Sequence, residues 1–152
     1  MEKGFTLIEL VVVISIIALL TAIILFSIAQ YINRGKDSNI AGNLAILVPA
    51  GEVYYNSNDN SYEGFCNPSQ NSVIKNTYDQ LPENPAGNCQ NSFTPGLCCY
   101  EATPYYDAWA ACARELSDAG AMAYCVDSRG MKKEITNDQC SNLANASPMQ
   151  CP

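Results

Sequence analysis

Glu9 is the one charged side chain between Lys3 and Arg34, and it sits inside an apolar run. A carboxylate held in lipid costs about 2.5–3.5 kcal/mol on an insertion scale, so an intramembrane acid points to a function and to a counter-charge. No basic residue within the run supplies one. A cut between Gly4 and Phe5 would create an α-amino group on Phe5, and that amine on a neighbouring copy could neutralise Glu9. The electrostatic problem is then solved by assembly of several chains.

Eight cysteines form the second reactive set: Cys66, Cys89, Cys98, Cys99, Cys112, Cys125, Cys140 and Cys151. An even set in a chain of 152 residues reads as a disulfide framework, which persists in an oxidising compartment. Metal binding is the competing reading. Against it stand the lack of any C-x-x-C pair, the absence of histidine, and the Cys98-Cys99 doublet, which suits two different partners better than one tetrahedral ion. No metal or cofactor is expected.

Catalysis has little to work with. Without histidine there is no Ser-His-Asp or Cys-His constellation, and no phosphate loop or nucleotide fingerprint occurs. Asp107 with Glu115 or Asp118 could be drawn as a carboxylate pair, but dispersed surface charge accounts for them better. A net charge of −7 and a pI near 4.3 argue against nucleic acid, whose phosphates call for a basic stripe. Lys132-Lys133 is too small a patch to change that.

These residues are carried by two unlike segments. Leu10 to Ala29 contains no charge and only Ser15, Thr21 and Ser27 as polar breaks. Twenty residues at about 1.5 Å each give about 30 Å, the thickness of a bilayer's hydrocarbon core. The run is longer than the apolar core of a secretory signal and flows into SIAQYINRGK without a cleavage pattern. Beyond residue 50, Asn, Ser, Gly and Pro crowd in, and 12 acidic against 5 basic residues account for the whole −7. Flanking charges barely bias the topology. The cysteines place the polar domain outside the cytoplasm and the short amino terminus inside.

Gly4-Phe5-Thr6-Leu7-Ile8-Glu9 resembles the processing motif of type IV prepilins and the related pseudopilins. The resemblance implies that a membrane prepilin peptidase/methylase removes Met1 to Gly4 and methylates the amine of Phe5. It further implies that an inner-membrane assembly platform draws the subunit out of the lipid into a helical filament of identical or related subunits. Glu9 then pairs with the amine of an adjacent Phe5, and Thr6 lies beside that contact. The implied function is that of a structural subunit, not an enzyme, in an extracellular pilus. A secretion-type pseudopilin in a periplasmic pseudopilus, a minor pilin, and, outside the family, a monomeric single-pass binding module are the alternatives.

The expected fold is α+β: one long amino-terminal helix packed on a small antiparallel sheet with disulfide-stapled loops. The expected division is a leader over 1–4, a membrane and filament-core helix over 5–31, its amphipathic continuation over 32–57, and an extracytoplasmic head over 58–152. Apolar side chains at Ile32, Ile40, Leu44, Leu47, Val48, Tyr54 and Tyr55 keep to one side of a helix. Pro49 predicts a kink near 45–51. Many pilins carry a proline at the position of Phe26, about which part of the helix melts in the filament. This chain has neither proline nor glycine between Phe5 and Arg34, so that property is not carried over.

In NSNDNSYEGF, Asn56, Asn58, Asp59, Asn60 and Gly64 predict a loop; the EF-hand order of ligands is absent, and turn chemistry explains the same residues. Residues 65–106, with five prolines, read as a cysteine-pinned loop region without a long element. In AWAACAREL, Trp109, Cys112, Ala113 and Leu116 fit a helix, while the resemblance to pilins implies a strand there, and Met122 to Ile135 reads as a hairpin turning at Asp127-Ser128-Arg129-Gly130. By resemblance to the closed terminal loop of many pilins, Cys140 is expected to pair with Cys151 across a ten-residue gap.

Overall fold

The computed structural model describes residues 4, 6–81, 89, 96–117 and 121–152. The leader residues Met1 to Lys3, the processing residue Phe5, Asp118, and Pro82, Pro85 and Pro95 lie outside them.

Helix α1 runs from Leu7 to Ser57, followed by α2 (Ser72–Gln80), strands β1 (Cys98–Glu101), β2 (Trp109–Arg114), β3 (Met122–Asp127) and β4 (Lys132–Thr136), and the short α3 (Asn137–Ser141). A 3-10 turn, Leu143–Asn145, leads to the carboxy terminus. The strands form one antiparallel sheet in chain order. This is the expected α+β architecture, with AWAACAREL contributing β2 and the hairpin formed by β3 and β4.

Two cores lie on opposite faces of the sheet, because side chains alternate along each strand. Trp109, Ala111 and Ala113 of β2 join Cys99 and Val126 beneath Ile40, Leu44 and Leu47 of α1. Ala110 and Cys112 face the other way, with Cys98, Cys125 and Ile135, toward Cys140, Leu143 and Cys151. The alanines of β2 let the layers approach closely. At the tightest point α1 presents Gly51, where a Cβ would lie 2.6 Å from the Trp109 indole nitrogen.

The first half of α1 is exposed along its described length. The described apolar side chains between Leu7 and Ile32 are exposed, and the helix is long and apolar enough to cross a membrane. Ile32 was expected on the packed side, yet it is exposed: the head first grips the helix near Asp37 and Ile40, beyond the reach of residue 32. Pro49 lies within α1, which runs through 45–51 without a break in its helical assignment. Asn58 closes the helix, and Asp59 and Asn60 follow with φ of 51° and 59°, a left-handed geometry that Asn and Asp tolerate.

The region 65–106 is more regular than expected. Asn71 caps α2, its side-chain oxygen accepting from the Val73 amide at 2.9 Å, and Ile74 and Thr77 turn inward to the core. Of the five prolines, none falls between Asn71 and Gln80, so a nine-residue helix fits between the breaks.

Four disulfides are present: Cys66–Cys99, Cys89–Cys98, Cys112–Cys140 and Cys125–Cys151. The doublet serves two partners on opposite faces, since adjacent strand residues point apart. The expected Cys140–Cys151 bond is incorrect. Register places Cys98, Cys112 and Cys125 in one row across β1, β2 and β3, and α3 folds over that face, setting Cys140 on Cys112 and leaving Cys125 to Cys151. Closing a 28-residue loop rather than an 11-residue one costs only about 0.8 kcal/mol, so sheet register outweighs nearness in sequence.

Candidate functional site

Helix α1 begins with a reciprocal cap. Thr6, in extended geometry, is the N-cap, and its hydroxyl oxygen accepts from the Glu9 amide at 3.4 Å. In return Glu9 Oε2 accepts from the Thr6 amide at 2.9 Å and the Thr6 hydroxyl at 2.7 Å. The T-x-x-E spacing satisfies two amides that a helix start leaves unpaired. Sequence reasoning placed Thr6 beside Glu9 but missed this capping box, although its spacing was legible.

Further along, the polar breaks are internally satisfied. Ser15, Thr21 and Ser27 donate their hydroxyls to the carbonyls of Val11, Ile17 and Ile23, at 2.7, 2.8 and 3.2 Å. Such back-bonding removes their cost in lipid. Glu9 differs: it has neutral hydrogen-bond donors from Thr6 and apolar neighbours in Ile8, Val12 and Val13, and among the described residues it forms no ion pair. Gly4 is exposed next to it. Phe5, whose amine is the expected partner, lies outside the described residues.

The head is fastened to this helix by residues that sequence reasoning did not single out. Asp37 accepts from the Leu116 amide at 2.6 Å and the Ser117 amide at 3.0 Å, joining α1 to the chain leaving β2. Glu101 accepts from the amides of Cys66, at 2.7 Å, and Gly64, at 3.2 Å, and holds the loop after α1 to β1. Burial pushes its carboxyl above the usual range, against the lowering by those two bonds. Tyr62 donates to Glu52 at 3.4 Å; burial, with the Glu52 charge, pushes its phenol up to about 12. Tyr54, Tyr55 and Tyr62 pack with Phe65 and Trp109 in an aromatic cluster that docks the helix.

Asp127 is fully buried, with Oδ1 accepting from the amides of Arg129 and Met131 and Oδ2 from the Cys151 amide and the Arg129 guanidinium. The hairpin turn, where Gly130 takes φ of 82°, is thereby tied to the carboxy terminus. The sulfurs of Cys98, Cys112 and Cys140 cluster within 4.8 Å of one another, but each belongs to a disulfide, so no free thiolate is there to hold an ion. Asp107 and Glu115 are separated: Asp107 lines a groove with Glu101 and Ala144–Met149, whereas Glu115 lines another with Arg34 and Asp37. No carboxylate pair forms between them.

A long exposed apolar helix with a capped acid at its start carries a disulfide-stapled sheet, and the helix is long and apolar enough to cross a membrane. The family model described as the prokaryotic N-terminal methylation motif matches residues 1–25. The chain is 48% identical over 44 residues to the type IV major alpha-pilin of Moraxella bovis, covering 29% of this chain and 28% of that one. It is equally similar, over the same length, to fimbrial protein Q of that organism. To the type IV major pilin protein PilA of Myxococcus xanthus (strain DK1622) it is 33% identical over 90 residues, 59% of this chain and 40% of the relative. The chain thus spans between about a quarter and two fifths of the length of these relatives. No solved structure matches it. Over these stretches the chain is similar to type IV pilins, and its first 25 residues match the methylation motif.

Proposed function

We propose that this chain is a structural subunit of a type IV pilus or pilus-like filament. It enters the membrane as a prepilin, is cleaved after Gly4 and N-methylated at Phe5, and assembles through its amino-terminal helix. In this reading residues 1–4 are the leader, 5–31 the membrane and filament-core helix, 32–57 its continuation and 58–152 the head. The amino terminus starts in the cytoplasm and the head lies outside, where disulfides persist.

The observation that carries the proposal is the matched methylation motif on a helix whose described apolar side chains between Leu7 and Ile32 stay exposed among the described residues. Apolar surface of that extent needs lipid or other copies. Glu9 is the organising charge: Thr6 supplies dipoles, and the amine of Phe5 in an adjacent subunit supplies the cation. The partners are the prepilin peptidase/methylase, the assembly platform, lipid, and identical or related subunits; the chain itself performs no catalysis.

The test is the intact mass and first residue of protein from cells that express the cognate peptidase. The expected chain begins at N-methylated Phe5 and lacks eight hydrogens for its four disulfides. Gly4→Val is expected to leave the leader attached. A wild-type chain still starting at Met1 beside active peptidase would overturn the proposal in favour of a monomeric anchored module.

A further inference from the structure

The sheet face opposite α1 carries disulfides side by side. Cys98 and Cys112 are directly opposed in the register of β1 and β2, yet they are bonded elsewhere, to Cys89 and Cys140. The sulfurs of Cys98, Cys112 and Cys140 all lie within 4.8 Å of one another, although they belong to two separate bonds. Seven of the eight cysteines are buried; Cys89 alone is partly exposed. Reagents in solution therefore reach the Cys89–Cys98 bond first, and that bond is the one whose inner sulfur borders a second disulfide.

We propose that these two disulfides form a thiol relay, in which opening Cys89–Cys98 from outside transfers the break inward and releases Cys140. A dithiol reductant attacks Cys89 Sγ and expels Cys98 as a thiolate. The second thiol of the reagent then closes its own ring and frees Cys89, so the reagent is oxidised and Cys89–Cys98 reduced by two electrons. The Cys98 thiolate attacks Cys112 Sγ; a Cys98–Cys112 bond forms, Cys112–Cys140 breaks, and Cys140 leaves as a thiolate that takes a proton from water. This second step is an exchange with no net oxidation or reduction.

Geometry favours that direction. Residues opposed in antiparallel strands have Cα atoms about 4.5–5.5 Å apart, within the about 4.4–6.8 Å that a disulfide spans. Cys98 and Cys112 are held in strands, so joining them orders nothing new. Cys140 sits in the five-residue α3, and losing its tether returns freedom to the chain beyond β4. Reduction at the rim thus loosens the α3 layer and displays a thiol at Cys140, a response to extracytoplasmic reductant independent of filament formation.

The experiment treats the full-length chain in detergent micelles with one equivalent of dithiothreitol, traps thiols with excess N-ethylmaleimide at mildly acidic pH, where the maleimide still reacts while disulfide exchange is slow, and maps labels and cross-linked peptides by mass spectrometry. Expected are labels on Cys89 and Cys140 with a Cys98–Cys112 cross-linked peptide. Labels on Cys89 and Cys98 with Cys112–Cys140 intact would overturn the relay, and so would a Cys98–Cys140 peptide with Cys112 labelled. Cys89→Ser gives a second reading without reductant: Cys98–Cys112 bonded and Cys140 free is expected, whereas a free Cys98 beside intact Cys112–Cys140 overturns the proposal.

Discussion

Glu9 has two separable duties, and two substitutions tell them apart. Within its own chain it completes the capping box with Thr6 through bonds of 2.7 and 2.9 Å. Between chains, in the proposed filament, its charge meets the Phe5 amine. Glutamine fills the third helical position of a capping box as well as glutamate does, so Glu9→Gln keeps the cap and deletes the charge. Thr6→Ala does the reverse, leaving the charge and removing a cap worth about 1 kcal/mol. A carboxylate in lipid carries a penalty of about 2.5–3.5 kcal/mol that pairing relieves. Without the charge that relief no longer drives a subunit from lipid into the filament, a loss of about 100-fold per subunit added at about 1.4 kcal/mol per decade. Filaments sheared from cells and quantified against subunit in the membrane fraction are the assay. Glu9→Gln is expected to give normal membrane levels and no measurable filament, and Thr6→Ala a reduction of no more than about tenfold per added subunit. Wild-type filament yield from Glu9→Gln would refute the intersubunit charge pair and leave Glu9 a capping residue alone.

Three further outcomes concern the head. Asp127→Ala strands the buried Cys151 amide and the turn amides of Arg129 and Met131, an expected loss of about 3–5 kcal/mol in chemical unfolding with disulfides intact; a loss below about 1 kcal/mol, the net value of one hydrogen bond, would contradict the role assigned to it. Gly51→Ala gains about 1 kcal/mol of helix propensity but pushes a methyl toward the Trp109 ring, an overpacking cost of about 1–3 kcal/mol. Net destabilisation with a shifted emission from the single tryptophan is expected, and a more stable variant would deny the close approach. Tyr62 holds its proton more tightly folded than unfolded, from an ordinary value of 10.0 up to about 12. Its contribution is therefore present below pH 10.0 and lost as pH rises through about 12, so stability falls across that window. Tyr62→Phe should flatten that part of the pH–stability curve, and an unchanged slope would refute the assignment.

Much was legible from local pattern. The charge-free run from Leu10 to Ala29 dictates a helix because nothing else satisfies backbone groups in lipid. The alternation in Met122 to Val126, ending at Asp127-Ser128-Arg129-Gly130, marks a hairpin by period and turn residues alone. Glu9 stood out because one charge in an apolar run is costly wherever the chain goes. Ile40, Leu44 and Leu47 announced the buried stripe of α1, and all three are buried.

Other features depend on elements far apart in the chain. Nothing near Asp37 reveals that it binds amides at 116 and 117, and nothing near Asp127 reveals its bond to Cys151, because each partner arrives only when the sheet is assembled. Gly51 is required by the indole of a residue 58 positions away. The disulfides make the same point. That the eight cysteines form a disulfide framework follows from composition, but connectivity follows from which thiols the register sets together, and loop length discriminates weakly because closure entropy grows only with its logarithm. Sequence thus determines a membrane-length helix, an isolated acid and an oxidised head; tertiary structure decides which sulfur meets which, since strand pairing, not proximity along the chain, brings Cys112 beneath Cys140 and Cys125 beneath Cys151.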